Sequence, residues 1–383
     1  KSVRQLQFGR DSIMLKLNNP IDYFNQLTDP RVETKNKLHS LQSIVFIVLC
    51  ATLCGFDDWN SIEDFAEEQA DWLKQYVDLS NGIPSHDTLS RVFGRLDRTE
   101  FARVFAQWVS DSLPSLDRQH IAIDGKMIGG GFGQNHSINL VTAFATDLKL
   151  VLGVHQVDKK TNEINALPEL LSLIDIKGSI VSMDAIYCQK DISRQIIAAK
   201  ADYVLALKQN HKTLYEDVSL WLDTQAAQHP QDVVEEVNKD HGRIETRRYY
   251  LSTEIAWLSQ TSEWFGLKGL GMVESTRDIK GKREVQRRFY LTSLTQLDDF
   301  RSTVRNHWAI ENQQHWVLDV AFSEDANRAY SNNQRSNLAL FRRVALNLLR
   351  VNGTASLSAK RSRMKALMNA QYRQQLLFGK NHA

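Results

Sequence analysis

The sequence predicts an α+β protein: a mixed β-sheet core carrying helices, with a β-rich insertion, a helical N-terminal region and a basic helical C-terminal region. Three observations lead there. Apolar residues recur at helical spacing up to about residue 118. From about Gln119 the period shortens, and β-prone runs alternate with helical ones in the order β-β-β-α-β-α-β, which describes a mixed sheet with helices packed on it. From Ala326 to Ala383 there is no Asp or Glu and there are eleven Lys or Arg residues, a one-sided tail that favours a polyanionic partner.

A chain of 383 residues, 42% hydrophobic and 24% charged, has room for two or three domains of a soluble globular protein. Its net charge of +2 says little about partners. Cys50, Cys54 and Cys188 are too few and scattered for a disulfide framework or a thiolate metal site, which fits a reducing cytosol. No amino-terminal signal pattern is present. The longest apolar run, Ile44 to Phe56, is shorter than a membrane span and reads as a buried helix.

In the N-terminal region the spacing predicts helices over 38–54, within 57–77 (stripe Ile62, Phe65, Ala66, Ala70, Leu73), from about Asp87, and over 101–113. Ser61 and Asp64 resemble a weak capping box. The turn at Pro84–Ser85 and the helix after it, with Arg91, Arg95 and Arg98 on one edge, fit either DNA contact or a small bundle with a solvated positive side. IAIDG, INLVTAFAT and LVLGVHQVD then read as consecutive antiparallel strands, followed by a helix over 163–174, the strand SIVSMDA, a helix over 189–199 and the strand YVLAL. The next ninety or so residues, with the turn KDHGR, read as a largely β insertion. The end of the chain is helical, with Asn337–Leu349 apolar on one face and Arg342, Arg343 and Arg350 on the other.

The chemistry concentrates in Arg305–Asp325. As a helix, this stretch sets His307, Glu311, His315 and Asp319 four residues apart on one face, with Trp308 and Trp316 beside them to hold Glu311 still. Asp124 ends the run IAID and Asp184 ends SIVSMD; on central strands their side chains can converge with Glu311 on a hard oxygen site for Mg2+, with Mn2+ as a second choice. Two such ions polarise a phosphodiester and activate a water or 3′-hydroxyl. Asp at a strand end is also a common turn residue, and the His–Glu–His row also fits a zinc ligand set or a hydrogen-bonded surface row. Lys126, Lys208, Arg301 and Arg305 are placed to neutralise phosphate, Lys208 being equally an ordinary solvated strand cap. Trp308 and Trp316 can stack a distorted base or simply pack.

GIPSHDTLSRVFGRLD, IAIDGK, KTNEINALPELL, VSMDAIYCQKDI, DYVLALKQNH, HWAIENQQHWVLDVAFSED and NLALFRRVALNLLR, in this order, resemble the transposases of the ISAs1 group, including the H-repeat-associated proteins. The resemblance covers almost the whole chain. It implies a DDE transposase with a ribonuclease-H-like core, whose acids and metal ligands map to Asp124, Asp184 and Glu311. It further implies divalent-metal strand cleavage and 3′-end transfer on double-stranded transposon ends, by a homodimer or larger assembly, in a cytoplasmic and nucleoid-associated setting. Supporting or DNA-contacting roles fall to Lys126, Lys208, Arg305, His307, Trp308, His315, Trp316, Arg342 and Arg343. The expected divisions are 1–118 (helical, DNA-binding), 119–208 (first part of the core), 209–300 (insertion), 301–350 (core helices) and 351–383 (basic tail).

One departure stands out: where the family follows GK with a short pair and Arg, this chain has MIGGG, so Gly129 lacks that cation. This fits an impaired DNA-binding relative, while retention of all three acids argues for an enzyme. A nuclease without strand transfer needs the same acids, and an interaction scaffold leaves them without a purpose.

Overall fold

The change of period at residue 119 is the change of architecture. The computed structural model describes residues 5–8, 11–35, 37–113, 115–129, 137–157, 163–229, 232–240, 243–279, 282–326, 329 and 331–379. Before the sheet come a hairpin, β1 (Gln5–Phe8) and β2 (Asp11–Met14), and the helices α1 (Pro20–Phe24), α2 (Leu41–Cys54), α3 (Trp59–Glu68), α4 (Ala70–Leu73), α5 (His86–Arg95) and α6 (Arg98–Ser112). Local chemistry sets their ends. Ser40, Asp58, Ser85 and Asp97 each accept a backbone N–H in the first turn of α2, α3, α5 and α6. The cap of α3 is therefore Asp58, not Ser61, and the Asp97 cap starts α6 at Arg98, three residues earlier than its apolar face indicates. Gly55, at φ 105°, closes α2 in the left-handed region that a Cβ disfavours. The apolar run is thus the buried helix α2, and no single helix among the described residues is long and apolar enough to cross a membrane.

The core follows as β3 (His120–Ile128), β4 (Ile138–Ala145), β5 (Leu150–Val157), α7 (Glu163–Leu173), β6 (Ile180–Met183), α8 (Lys190–Ala198) and β7 (Asp202–Leu207). This is the predicted β-β-β-α-β-α-β order. After it come α9 (Lys212–Gln228), β8 (Val234–Asp240), β9 (Arg243–Ser252), β10 (Gly269–Ile279) and β11 (Lys282–Thr292). The strand order is β5-β4-β3-β6-β7-β11-β10-β9-β8, with β6 parallel to β3 and β7, and β11 antiparallel to β7. The architecture is therefore a mixed α+β one, as the sequence predicts. Two features differ. The insertion does not stand apart but extends the sheet through β11, and it contains α9, whose Leu214, Val218 and Leu222 are buried at four-residue spacing. His241 and Gly242 of the KDHGR turn lie outside the described residues.

The chain divides into two compact units: Lys1–Ser115, Gly125–Ile174 and Glu311–Ala383 form one, Leu116–Asp124 and Asp175–Ile310 the other. The first contains α11 (Trp316–Phe322), α12 (Asn332–Val351), α13 (Ala359–Met368) and α14 (Ala370–Phe378). Its central element is α12, buried over nearly its whole circumference. The polar residues on this helix serve backbone. Asn337 donates to the carbonyls of Phe93 and Leu96 at the end of α5, and Asn347 both donates to and accepts from Val151, occupying β5 at the edge of the sheet. In the second unit α10 (Leu297–His307) packs on β6, β7 and β9 through Phe300. Gly271 makes room for it: a Cβ there would lie 2.2 Å from Phe300 Cζ.

Candidate active site

Asp124 and Asp184 occupy equivalent places on adjacent parallel strands. β3 and β6 pair from His120–Ile180 to Ile123–Met183, so each Asp is the residue immediately after the last paired one. Asp184 follows the end of β6, as the sequence indicates, whereas β3 continues through Asp124 to Ile128. The period of two puts His120, Ala122 and Asp124 on one face of β3, and Ser182 and Asp184 on one face of β6. A Cβ at Gly125 would lie 2.6 Å from a Glu163 carboxylate oxygen, the far end of a side chain that would have to shift.

Glu311 is not on a continuous α-helix. α10 ends at His307, a π-helical stretch spans Ile310–His315, and α11 begins at Trp316. A π turn takes up extra residues per turn, so the row is not carried on one continuous α-helical face, although Glu311 and His315 stay together. His307 Nδ1 lies 2.7 Å from Ser182 Oγ, Asp319 pairs with Lys126, and His315 Nδ1 lies 3.3 Å from Glu311 Oε2. The zinc row of His307, Glu311, His315 and Asp319 is therefore not assembled. Burial of Ile310, Gln314, His315, Leu318 and Phe322 fixes the segment. The tryptophans do not: Trp308 and Trp316 are 50% and 61% exposed. Trp308 carries the Arg288 guanidinium over its ring at 5.6 Å.

Ligand atoms of Asp124, Glu311 and His315 lie within 4.8 Å of one another, the metal-compatible cluster found among the described residues. Two carboxylates and one imidazole can hold a divalent cation. Asp184 is not in that cluster; its Oδ2 lies 3.7 Å from Lys208 Nζ, and both side chains are more than half exposed.

The basic residues sort differently from their sequence placement. Lys208 and Arg305 are exposed. Lys126 is 8% exposed, paired to Asp319 and 3.5 and 3.7 Å from carboxylate oxygens of Glu324 and Asp325. It neutralises this chain's own acids. Arg342 and Arg343, assigned to a polar face, are 1% and 0% exposed. Arg343 makes a buried bidentate pair with Glu324 at 2.6 and 3.3 Å, and Arg342 lies 3.9 Å from Asp57. In the tail, Arg363 donates to Thr52 O and Asp57, and Arg373 to Gln69. Among the described residues, most cations of the run after Ala326, Arg335, Arg342, Arg343, Arg363 and Arg373, are thus an internal scaffold, while Lys360 and Arg361 are exposed. A Cβ at Gly129 would meet only Asp325 O at 3.8 Å, so packing does not demand glycine there; Gly130 and Gly131 lie outside the described residues.

Burial, the largest influence, works to raise the Glu324 carboxyl, but Arg343, Arg342 and Lys126 together hold it below its ordinary value. Burial raises the thiols of Cys50, Cys54 (to about 11) and Cys188 (to about 12), which keeps them protonated and inert.

Sequence reasoning missed His120 and Ser182. His120 Nε2 lies 2.7 Å from Ser182 Oγ, whose other neighbour is His307. The signal was the two-residue period, which places both on the faces that carry the aspartates. Burial, and secondarily His307, push the His120 imidazole down to about 3. The unfolded imidazole takes up its proton near pH 6.5, so between these values the unfolded chain binds more protons and stability falls with falling pH. This group contributes a slope of about 1.4 kcal/mol per pH unit in that window and none above it. His120→Gln should flatten the dependence by that slope, measured by urea unfolding between about pH 4.5 and 5.5, inside the window; an unchanged slope would show that His120 does not titrate this way.

Residues 21–109 match the family DDE_Tnp_1-associated, and residues 115–348, more than half of the chain, match the family Transposase DDE domain. The chain is 34% identical over 378 residues to the H repeat-associated putative transposase YhhI of Escherichia coli K12, covering 95% of this chain and 99% of that protein. It is 36% identical over 372 residues to the putative transposase YncI of Escherichia coli O157:H7, covering 95% of each. An uncharacterized protein in the dhlA 3′ region of Xanthobacter autotrophicus is 45% identical over 284 residues, 73% of this chain and 96% of that one. Taken with the mixed sheet and the acid cluster, these matches establish that the chain belongs to the DDE-domain transposases and is related to their H-repeat-associated members.

Proposed function

We propose that the protein is a metal-dependent DNA transposase that cleaves strands at transposon ends and transfers the 3′ ends, with Asp124, Asp184 and Glu311 as catalytic acids and metal ligands. The observation that carries this reading is the approach of Asp124, Glu311 and His315 to within 4.8 Å on segments matched by the transposase domain. Asp184 stands outside that cluster; its inclusion is supported by the register of β6 beside β3, which ends one residue before each aspartate. Divalent ions of the Mg2+ or Mn2+ kind, when bound, polarise the phosphodiester and ease deprotonation of the attacking water or 3′-hydroxyl. The chain's own contribution is a fixed array of carboxylates, whose mutual repulsion disfavours the empty site.

Lys208 stands beside Asp184, positioned to exchange that carboxylate for a phosphate oxygen when DNA and metal enter. Exposed Arg305, Trp308 and Trp316 offer a cation and two ring faces to the nucleic acid. His315 orients Glu311. Residues 119–208 and 301–350 form the catalytic core in this reading, residues 1–118 bind DNA with Arg91 and Arg95 on their surface, and a dimer or larger assembly holds paired ends.

The test is cleavage and strand transfer on DNA carrying the element's paired ends, with Mg2+ or Mn2+ and with chelator. Metal-dependent nicking followed by joining of 3′ ends is expected. Nicking without joining identifies a nuclease, and cleavage that survives chelation removes the metal from the reaction.

A further inference from the structure

A hydrogen-bond chain links the strands that lead into the two aspartates with the helix that leads toward Glu311. His120 Nε2 lies 2.7 Å from Ser182 Oγ, and Ser182 Oγ lies 2.7 Å from His307 Nδ1. His120 precedes Asp124 by four residues on β3, Ser182 precedes Asp184 by two on β6, and His307 precedes Glu311 by four at the end of α10. Because strand side chains alternate, His120 and Ser182 lie on the faces that bear the aspartates, and α10 packs on β6. Ser182 has one hydroxyl proton, so it donates to one imidazole and accepts from the other; both contacts are satisfied only when helix and strands keep one relative height and rotation. His120 and Ser182 are buried, and a buried polar group that loses its partner is costly, which makes the arrangement close to all-or-none.

We propose that His120, Ser182 and His307 are positioning residues that set the spacing between the two aspartates and the helix leading into Glu311, and thereby the metal affinity of the site. This rests on the acid-site reading above. The chain touches no reacting atom; it fixes the elements that bear the ligands, and loss of such support typically costs about 10- to 100-fold in metal affinity or activity.

The experiment compares the full chain with Ser182→Ala, His307→Leu, His307→Asn and a control, Thr303→Val. Thr303 is equally buried on α10 and donates to Asp299 O, outside the chain of three. Mn2+ binding is measured by electron paramagnetic resonance without DNA, alongside thermal melting and cleavage rate. Ser182→Ala and His307→Leu should each weaken Mn2+ binding about tenfold or more, whereas Thr303→Val should leave Mn2+ binding near that of the unaltered protein even where it lowers melting. His307→Asn, whose amide nitrogen can stand near the lost Nδ1, should restore most of the affinity.

Mn2+ binding by Ser182→Ala equal to that of the unaltered protein would overturn the proposal, as would a loss matched by Thr303→Val in both affinity and melting. Should Ser182→Ala not fold, His307→Leu, altered at a half-buried helix end, decides alone on the same criteria. If the unaltered protein binds no Mn2+, or Asp184→Asn binds it as tightly, the acid-site reading itself fails and this proposal with it. That outcome is distinct from a failure confined to Ser182 and His307.

Discussion

Asp184→Asn should lower strand cleavage by more than about 100-fold, beyond the usual cost of losing a partner outside the ligand shell, while duplex binding stays nearly unchanged. The substitution keeps the volume of the side chain and removes its charge where the proposed ions must sit. It should cost little stability, because Asp184 and Lys208 are both more than half exposed at 3.7 Å, and such pairs contribute little to folding. Cleavage and electrophoretic binding are measured on the same end DNA. Full activity in the variant would remove Asp184 from the reaction, and parallel loss of binding and cleavage would assign it to the grip on DNA.

Glu324→Gln should destabilise the protein by about 3–5 kcal/mol, the usual consequence of breaking a buried ion pair from one side. Glu324 and Arg343 are both fully buried, and Lys126 Nζ is 3.5 Å from the same carboxylate. Neutralising it strands Arg343 without its counter-charge and weakens the hold on Lys126, which lies on β3 two residues after Asp124. The pH dependence has a definite sign. The folded carboxyl is held below its unfolded value, so its stabilisation is complete above the ordinary carboxylate range and is lost as pH falls through the depressed value. Glu324→Gln should lack that acid-side loss. Urea unfolding at pH 7 and in acid measures both, and replacing the pair together, Glu324→Leu with Arg343→Met, should recover much of the stability. A loss within about 1 kcal/mol for Glu324→Gln would show that the pair contributes no more than an ordinary hydrogen bond.

What was legible in the sequence was local. The order of strands and helices from His120 to Leu207 followed from periodicity, and the two-residue period sufficed to put Asp124 and Asp184 on faces where register could align them. What was not legible depended on partners far along the chain. Arg342 and Arg343 read as the polar side of a helix, and Arg363 and Arg373 fell within the basic tail, because arginine is seldom buried without a partner; their surroundings, Asp57, Glu324, Thr52 and Gln69, come from elsewhere. The π-helical stretch at Ile310–His315 has no composition signature, and it interrupts the continuous α-helix on which the four-residue row depended, keeping only Glu311 and His315 of that row together. α9 was legible after all, since Leu214, Val218 and Leu222 recur every four residues, but polar neighbours and the β-rich sequence around it obscured that face.

The most direct measurement is anomalous scattering from crystals soaked in Mn2+. A manganese peak in contact with carboxylate oxygens of Asp124, Asp184 and Glu311, with Lys208 displaced from Asp184, is the predicted result. A crystal saturated with Mn2+ that shows no density there, or an ion held without Asp184 while it remains paired to Lys208, would contradict the assignment of three remote acids to one metal site.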